Sequence, residues 1–495
     1  MTTVLLGMLA TRGPHDAGSM VSQVMTLKRM HSFQDQIDAL WRPASMRKLA
    51  RELADIAVDA LLVNDGPVRT PGSEQIASKI VGGTKRDISS LVRQIQRASL
   101  HLSHPRFAAQ QVAAPIPAAA LVESVVAALN QSLAVWEMSP IATAIDRDLM
   151  DKFKKLFGYP RQAEGSLVPG GAFANLTALL AARDALAPDA SSRGGARIAI
   201  IVGAQAHYSI SRAAAILGIG RDSVYRVPLN SAFSTDVAAV DAAFDRARKA
   251  GFRKFILVGS SGSTPTGSFD DLSALRKIAT KRGAWFHVDA AHGAGLLFSR
   301  RMRKCMTGIS SADSVTFDPH KMMFMPLTAG GVLVREGRHL LEPLQEQAPY
   351  LFGSKRHWPD IGQVTVACSQ RFDALKTWIV WQAYGPKVWE ALGTHVCNVA
   401  KAAFKYCAES KILAPLHEPQ SNIFCFELCG TRNADSDRGH WAIKEELNES
   451  GFGYISSTVL DGRRVLRLVV MNPRTKADDI VAVLRRVEEI AASKV

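Results

Sequence analysis

Six short apolar runs recur between residues 165 and 335, each separated from the next by a stretch with helical spacing. They span residues 197–202, 223–227, 254–258, 284–288, 314–317 and 331–334. Most are apolar at nearly every position instead of alternating with polar residues, as strands are when both of their faces are covered. Strands of that kind with helices between them predict a largely parallel α/β sheet. In such a sheet ligand chemistry gathers where the strands end, at their carboxyl edge.

The flanking segments read differently. Residues 1–114 are expected to be an N-terminal helical segment: 34–64 has helix-compatible apolar spacing, and Asn64-Asp65-Gly66-Pro67 ends it. Residues 115–385 form the large α/β unit, with 118–136 rich in Ala, Val and Leu and a helix predicted over 369–384. Residues 386–495 alternate strands (422–427, 465–471) with helices (439–450, 476–493), the pattern of a small α+β domain. The first ten residues contain a short apolar run without the preceding positive charge or cleavage region of a signal peptide. No run of about 18 apolar residues follows, so no membrane span is expected. The six cysteines have no C-x-x-C spacing, which points to reduced thiols in a cytoplasmic setting and to no metal site. The formal charge of +15 is spread over scattered residues, with small clusters such as Arg300, Arg301, Arg303 and Lys304. That distribution describes a solvated basic surface better than a nucleic-acid interface.

Chemistry concentrates at the ends of the apolar runs. In Asp318-Pro319-His320-Lys321-Met322-Met323 a lysine lies just beyond a buried strand, where its amine can form a Schiff base with an aldehyde cofactor. In His287-Val288-Asp289-Ala290-Ala291 a carboxylate closes the preceding strand and can pair with a protonated pyridine nitrogen, while Ala291 presents a methyl to one ring face. Pro169-Gly170-Gly171-Ala172 opens a helical stretch over 176–185, offering free N–H groups and the positive end of the helix dipole to a phosphate. His207, after the strand ending at Val202, can stack on the opposite ring face. The polar loop containing Ser263 and Thr264 can bring hydroxyls to the same place. An aldehyde, a pyridine ring and a phosphate together describe pyridoxal 5'-phosphate.

These motifs, running in order from about residue 104 to 473, resemble the group II pyridoxal-phosphate-dependent amino-acid decarboxylases. The glutamate, cysteine-sulfinate, aromatic-amino-acid and diaminobutyrate enzymes belong to that group. The resemblance implies the aspartate-aminotransferase-like fold (fold type I) and a homodimer with shared active sites. It implies that Lys321 is the Schiff-base lysine, Asp289 the partner of the ring nitrogen and His207 the stacking residue. Gly171, Ala172 and His320 would hold the phosphate. Ala348-Pro349-Tyr350-Leu351-Phe352 resembles the mobile catalytic loop, which makes Tyr350 the acid that returns a proton to the α-carbon after carbon dioxide leaves. Phe107, Gln110 and Arg467 match substrate-side positions, and an arginine fork suits a carboxylate. The chain departs from many relatives at His292-Gly293-Ala294, where they have Trp-Gly-Gly, and at Ser263-Thr264 in place of a Thr-Thr pair. The substrate side of the pocket therefore differs, and the amino acid is left open. Rival readings are an aldehyde-forming oxidative deaminase, a transaminase on the same scaffold, or a binding protein that has lost turnover.

Overall fold

A computed structural model describes residues 42–81, 87–345, 348, 351–352, 359–430 and 434–493. Helices Pro43–Leu61, Ser73–Val81 and Ile88–Ala98 open the described chain, the last capped by Asp87, whose side chain accepts from the Ser90 N–H. A two-residue strand, β1 (Phe107–Ala108), follows.

The central sheet contains β2 (Glu164–Val168), β3 (Ile198–Gly203), β4 (Val224–Val227), β5 (Lys254–Ser260), β6 (Trp285–Ala290), β7 (Ser314–Phe317) and β8 (Gly330–Val334) in the order β2-β8-β7-β6-β5-β3-β4. Neighbours from β4 through β7 pair in parallel, and β8 is antiparallel to both β7 and β2. Successive side chains of one strand feed two different layers. Ile198, Ile200 and Val202 join an apolar layer with Ala174, Ala178, Ile256 and Val258, while Ala199 and Ile201 face a second with Phe244, Phe255 and Phe286. Both layers are closed by helices, which is why the runs are apolar at successive positions.

A smaller sheet, in the order β1-β11-β12-β10-β9, is built from β9 (Leu413–Pro415), β10 (Ile423–Leu428), β11 (Tyr454–Leu460) and β12 (Arg463–Val469). Helix Ala434–Glu449 packs on β11 and β12, and helix Ala477–Ala492 on helix Lys387–Glu409.

Several boundaries differ from the sequence reading. β2 was not anticipated, because Pro169-Gly170-Gly171 reads as a turn and the five residues before it carry no period of their own. The helix predicted over 176–185 begins at Gly171 and runs to Leu186, since Gly170, at φ 145°, sets the turn immediately before it. The helix expected over 369–384 starts at Ala374, and Gly385-Pro386 separates it from the long Lys387–Glu409 helix, which the sequence reading did not isolate. Strand β11 was also missed. Its parallel partner is β1, with Phe107 opposite Tyr454, so the residues before 114 contribute to the C-terminal sheet.

Candidate active site

Four elements converge at the carboxyl edge of the parallel strands. β6 ends with Asp289 and Ala290, the turn after β7 holds His320 and Lys321, the loop after β3 holds His207, and the loop after β5 holds Ser263 and Thr264. Together with the N-terminus of helix Gly171–Leu186 they enclose a cavity of about 400 Å³. Its lining includes Lys321, Asp289, His207 and Ala291, and also Gly171, Ala172, His320 and Thr264. This is the strand-end placement that a parallel sheet favours for a ligand.

The floor of the cavity is tight. A Cβ on Gly171 would stand 2.7 Å from Asp318 Oδ2 and 2.9 Å from the Ala291 methyl, so only glycine leaves this approach open. Lys321 Nζ lies 2.9 Å from Asp318 Oδ2, and His320 Nε2 lies 3.6 Å from the same oxygen. His320 Nδ1 sits 2.6 Å from the Ala329 carbonyl oxygen. Asp289 accepts from Asn175 Nδ2 at 2.9 Å and from the Ala291 N–H at 3.1 Å. His207 Nδ1 lies 2.8 Å from Ser209 Oγ. Burial lowers the His207 pKa below the ordinary histidine value, outweighing the opposite pull of Asp289, so the ring is neutral at neutral pH.

The residues expected on the substrate side are not among those lining the cavity. Phe107 is buried on β1 and stacks on Tyr454, with ring centroids 5.7 Å apart. Arg467, buried on β12, donates from Nη1 to the Thr264 carbonyl at 3.1 Å and from Nη2 to Gln110 Oε1 at 3.4 Å. Its Nε–H is given to Ser456 Oγ at 3.1 Å. Arg467 thus joins Gln110 to the loop whose Thr264 faces the cavity. Tyr350 lies outside the described residues.

Sequence reasoning assigned no role to Asn175, Ser209, His287, His292 or Asp318. Asn175 and Asp318 stand inside motifs that were legible, but their partners come from other strands. His292 lines the cavity, is 3% exposed and holds Asn422 Oδ1 at 2.7 Å from its Nε2. Burial, reinforced by the Lys321 charge, pushes its pKa down to about 3. Among the described residues no group of three His, Cys, Asp or Glu side chains is arranged to hold a metal ion, and no helix is long and apolar enough to cross a membrane.

The arrangement fits a phosphorylated aldehyde with a basic ring. It offers an amine, a helix N-terminus stripped of side chains by Gly170 and Gly171, and a hydrogen-bonded carboxylate at a strand end. Residues 75–429 match the family model described as the pyridoxal-dependent decarboxylase conserved domain. The acidic amino acid decarboxylase GADL1 of Xenopus tropicalis is 30% identical over 434 residues, 83% of each chain. The L-2,4-diaminobutyrate decarboxylase of Rhizobium meliloti is 30% identical over 413 residues, 82% of each. Among solved structures, mouse CSAD matches with a TM-score of 0.84 at 26% identity, over 91% of this chain and 99% of that one. The chain therefore belongs to the pyridoxal-dependent decarboxylase family, whose cofactor is pyridoxal 5'-phosphate and whose reaction removes carbon dioxide from an amino acid.

Proposed function

We propose that the cavity at the carboxyl edge of the central sheet carries this decarboxylation, producing an amine from an L-amino acid through Lys321, Asp289, His207 and Tyr350. The observation that carries the reading is the placement of the Lys321 amine and the Asp289 carboxylate in one cavity, with His207 in its wall. When bound, pyridoxal 5'-phosphate supplies a sink for the electron pair left on the α-carbon as carbon dioxide departs. Lys321, the amine in the cavity, would hold the cofactor through its aldehyde. Asp289 would pair with the ring nitrogen and favour its protonated form. His207 and Ala291, both in the cavity wall, would stand against the ring. Gly171, Ala172 and His320 would hold the phosphate, and Thr264 would offer a hydroxyl to the cofactor. Arg467, with Gln110 and Phe107, shapes the side on which the substrate enters, and Tyr350 returns the proton to the α-carbon. The working unit in this reading is a cytoplasmic homodimer whose partner loops complete each other's sites.

The test is a panel of amino acids with carbon dioxide, amine, aldehyde, ammonia and peroxide measured together. Amine and carbon dioxide in equal amounts support the reading, while aldehyde and peroxide without amine overturn it. Tyr350→Phe is expected to lower amine yield and raise aldehyde. Sedimentation of the full chain at several concentrations tests the dimer.

A further inference from the structure

Behind the cavity runs a chain of polar side chains whose hydrogen-bond directions are fixed from both ends. At one end a carboxylate can only accept, so Asn175 turns its NH₂ toward Asp289 Oδ2, 2.9 Å away. Its carbonyl oxygen then faces His287 Nε2 at 2.9 Å, which makes Nε2 the protonated nitrogen of His287. Burial holds His287 far below the ordinary histidine pKa, at about 4, so its Nδ1 is a lone pair. That lone pair accepts the hydroxyl of Ser314 at 2.9 Å. At the other end the Trp285 indole N–H, which can only donate, is given to Ser314 Oγ at 2.9 Å, leaving the Ser314 hydroxyl hydrogen free for His287. The two ends agree without a conflict.

The second hydrogen of the Asn175 amide goes to Ser209 Oγ at 2.9 Å. Ser209 therefore has its own hydroxyl hydrogen to give, and His207 Nδ1 stands 2.8 Å away. The Ser209 backbone N–H also points at this nitrogen, at 3.3 Å. Two donors aimed at one ring nitrogen require a lone pair there.

We infer that Asn175 and Ser209 are positioning residues that hold His207 as the neutral tautomer protonated at Nε2, while the same Asn175 amide fixes the Asp289 carboxylate. His207 keeps a single donor, Nε2–H, on the ring edge that Ser209 does not occupy. The consequence for turnover rests on the proposed reading that His207 lies against the cofactor and substrate. A cationic imidazolium there would stabilise the carboxylate that must be lost, favouring the ground state over the transition state. A neutral N–H orients that carboxylate without supplying a counter-charge.

The test is side-chain nitrogen NMR of full-length protein labelled with ¹⁵N-histidine, with and without pyridoxal 5'-phosphate, the His207 signals being assigned by their loss in His207→Asn. The expected result is an unprotonated Nδ1 and a protonated Nε2 across the neutral pH range, in the field of Asp289, Lys321, Asp318 and Arg212 and beside the Tyr208 ring. Ser209→Ala removes the hydroxyl and shifts Nδ1 toward a free lone pair, while Ser209→Thr restores the wild-type signal. Asn175→Ala removes the amide donor that fixes the Ser209 hydroxyl, so the His207 Nδ1 signal shifts in the same direction as in Ser209→Ala. A wild-type His207 protonated at Nδ1 overturns the inference. So does a His207 signal that is unchanged in Ser209→Ala. The amine assay on wild-type protein is independent: an Nε2–H tautomer with no amine formed would overturn the proposed function and leave the relay standing.

Discussion

The Lys321 amine and the Asp318 carboxylate face each other at 2.9 Å, with the Asp318 side chain only 1% exposed and that of Lys321 18% exposed. The two residues are three apart in a turn, where no helix ladder sets their distance. Both are carried by the link between β7 and the reversed strand β8, and the carboxylate sits where the Gly170-Gly171 turn leaves room for it.

Asp318→Ala removes the counter-charge of the Lys321 amine. A fully buried pair broken on one side costs about 3–5 kcal/mol, but water reaches Lys321, so a loss of about 1–2 kcal/mol is expected in cofactor-free protein. Urea denaturation midpoints of the two proteins measure it. An unchanged midpoint would mean that solvent replaces Asp318 completely.

Gly171→Val pushes carbon into the space between Asp318 and Ala291. Overpacking of this kind costs about 1–3 kcal/mol, and the cavity floor rises with it. Cofactor affinity should fall by about tenfold or more, equivalent to about 1.4 kcal/mol. Absorbance titration of cofactor-free protein with pyridoxal 5'-phosphate reads the change directly.

Acid should destabilise the fold before its carboxylates titrate fully. Burial lowers the pKa values of His207, His287, His292 and His320 below the ordinary value of 6.5. Between that value and each folded-state pKa the unfolded chain binds protons that the folded protein refuses, so stability falls as pH falls, by at most about 1.4 kcal/mol per unit for each such group. Asp146 runs the other way. Its burial raises it to about 7, so the folded state gains protons between there and the ordinary aspartate value, and Asp270 is raised in the same sense. The four histidines outnumber these two carboxyls, and denaturation free energies measured at pH values stepping down from neutral toward the His287 pKa of about 4 should decline. A flat or rising series would contradict the neutral, buried histidines.

Lys376 is fully buried on helix Ala374–Tyr384, with Glu123 Oε1 at 2.9 Å, Asp373 Oδ1 at 3.1 Å and the Thr328 carbonyl at 2.7 Å. Arg371 binds the same two carboxylates but is 42% exposed. Lys376→Met removes a fully buried charge from partly exposed carboxylates that Arg371 still binds, so a cost of about 1–3 kcal/mol is expected. Arg371→Met should cost less than about 1 kcal/mol, because solvent already screens that pair. Equal effects on the thermal midpoint would show that burial does not separate the two cations.

Much of the candidate site was legible in the sequence because its residues stand at element ends. Asp289 closes an apolar run, Lys321 follows the next, and Gly171 opens a helix, and each position is fixed by local pattern. Element boundaries were less legible where two segments join without a period of their own. β2 is five buried residues of mixed type, and β1 is two residues long, stabilised by its pairing with β11. Arg467 was recognisable as an arginine able to meet a carboxylate, but its partners, Thr264 and Gln110, lie about two hundred or more positions away in the chain.

The sequence alone pointed to the parallel sheet, to the cofactor and to Lys321, which the fold brings into the cavity, since periodicity and motif spacing act over a few residues and survive in one dimension. Only the tertiary structure decided which way each hydrogen bond points. Asn175, His287, Ser209 and Ser314 come from separate elements, and the direction of their chain is set by Asp289 at one end and Trp285 at the other. A side chain's protonation state depends on the partners and the burial that folding brings to it, and no local pattern in the chain records either.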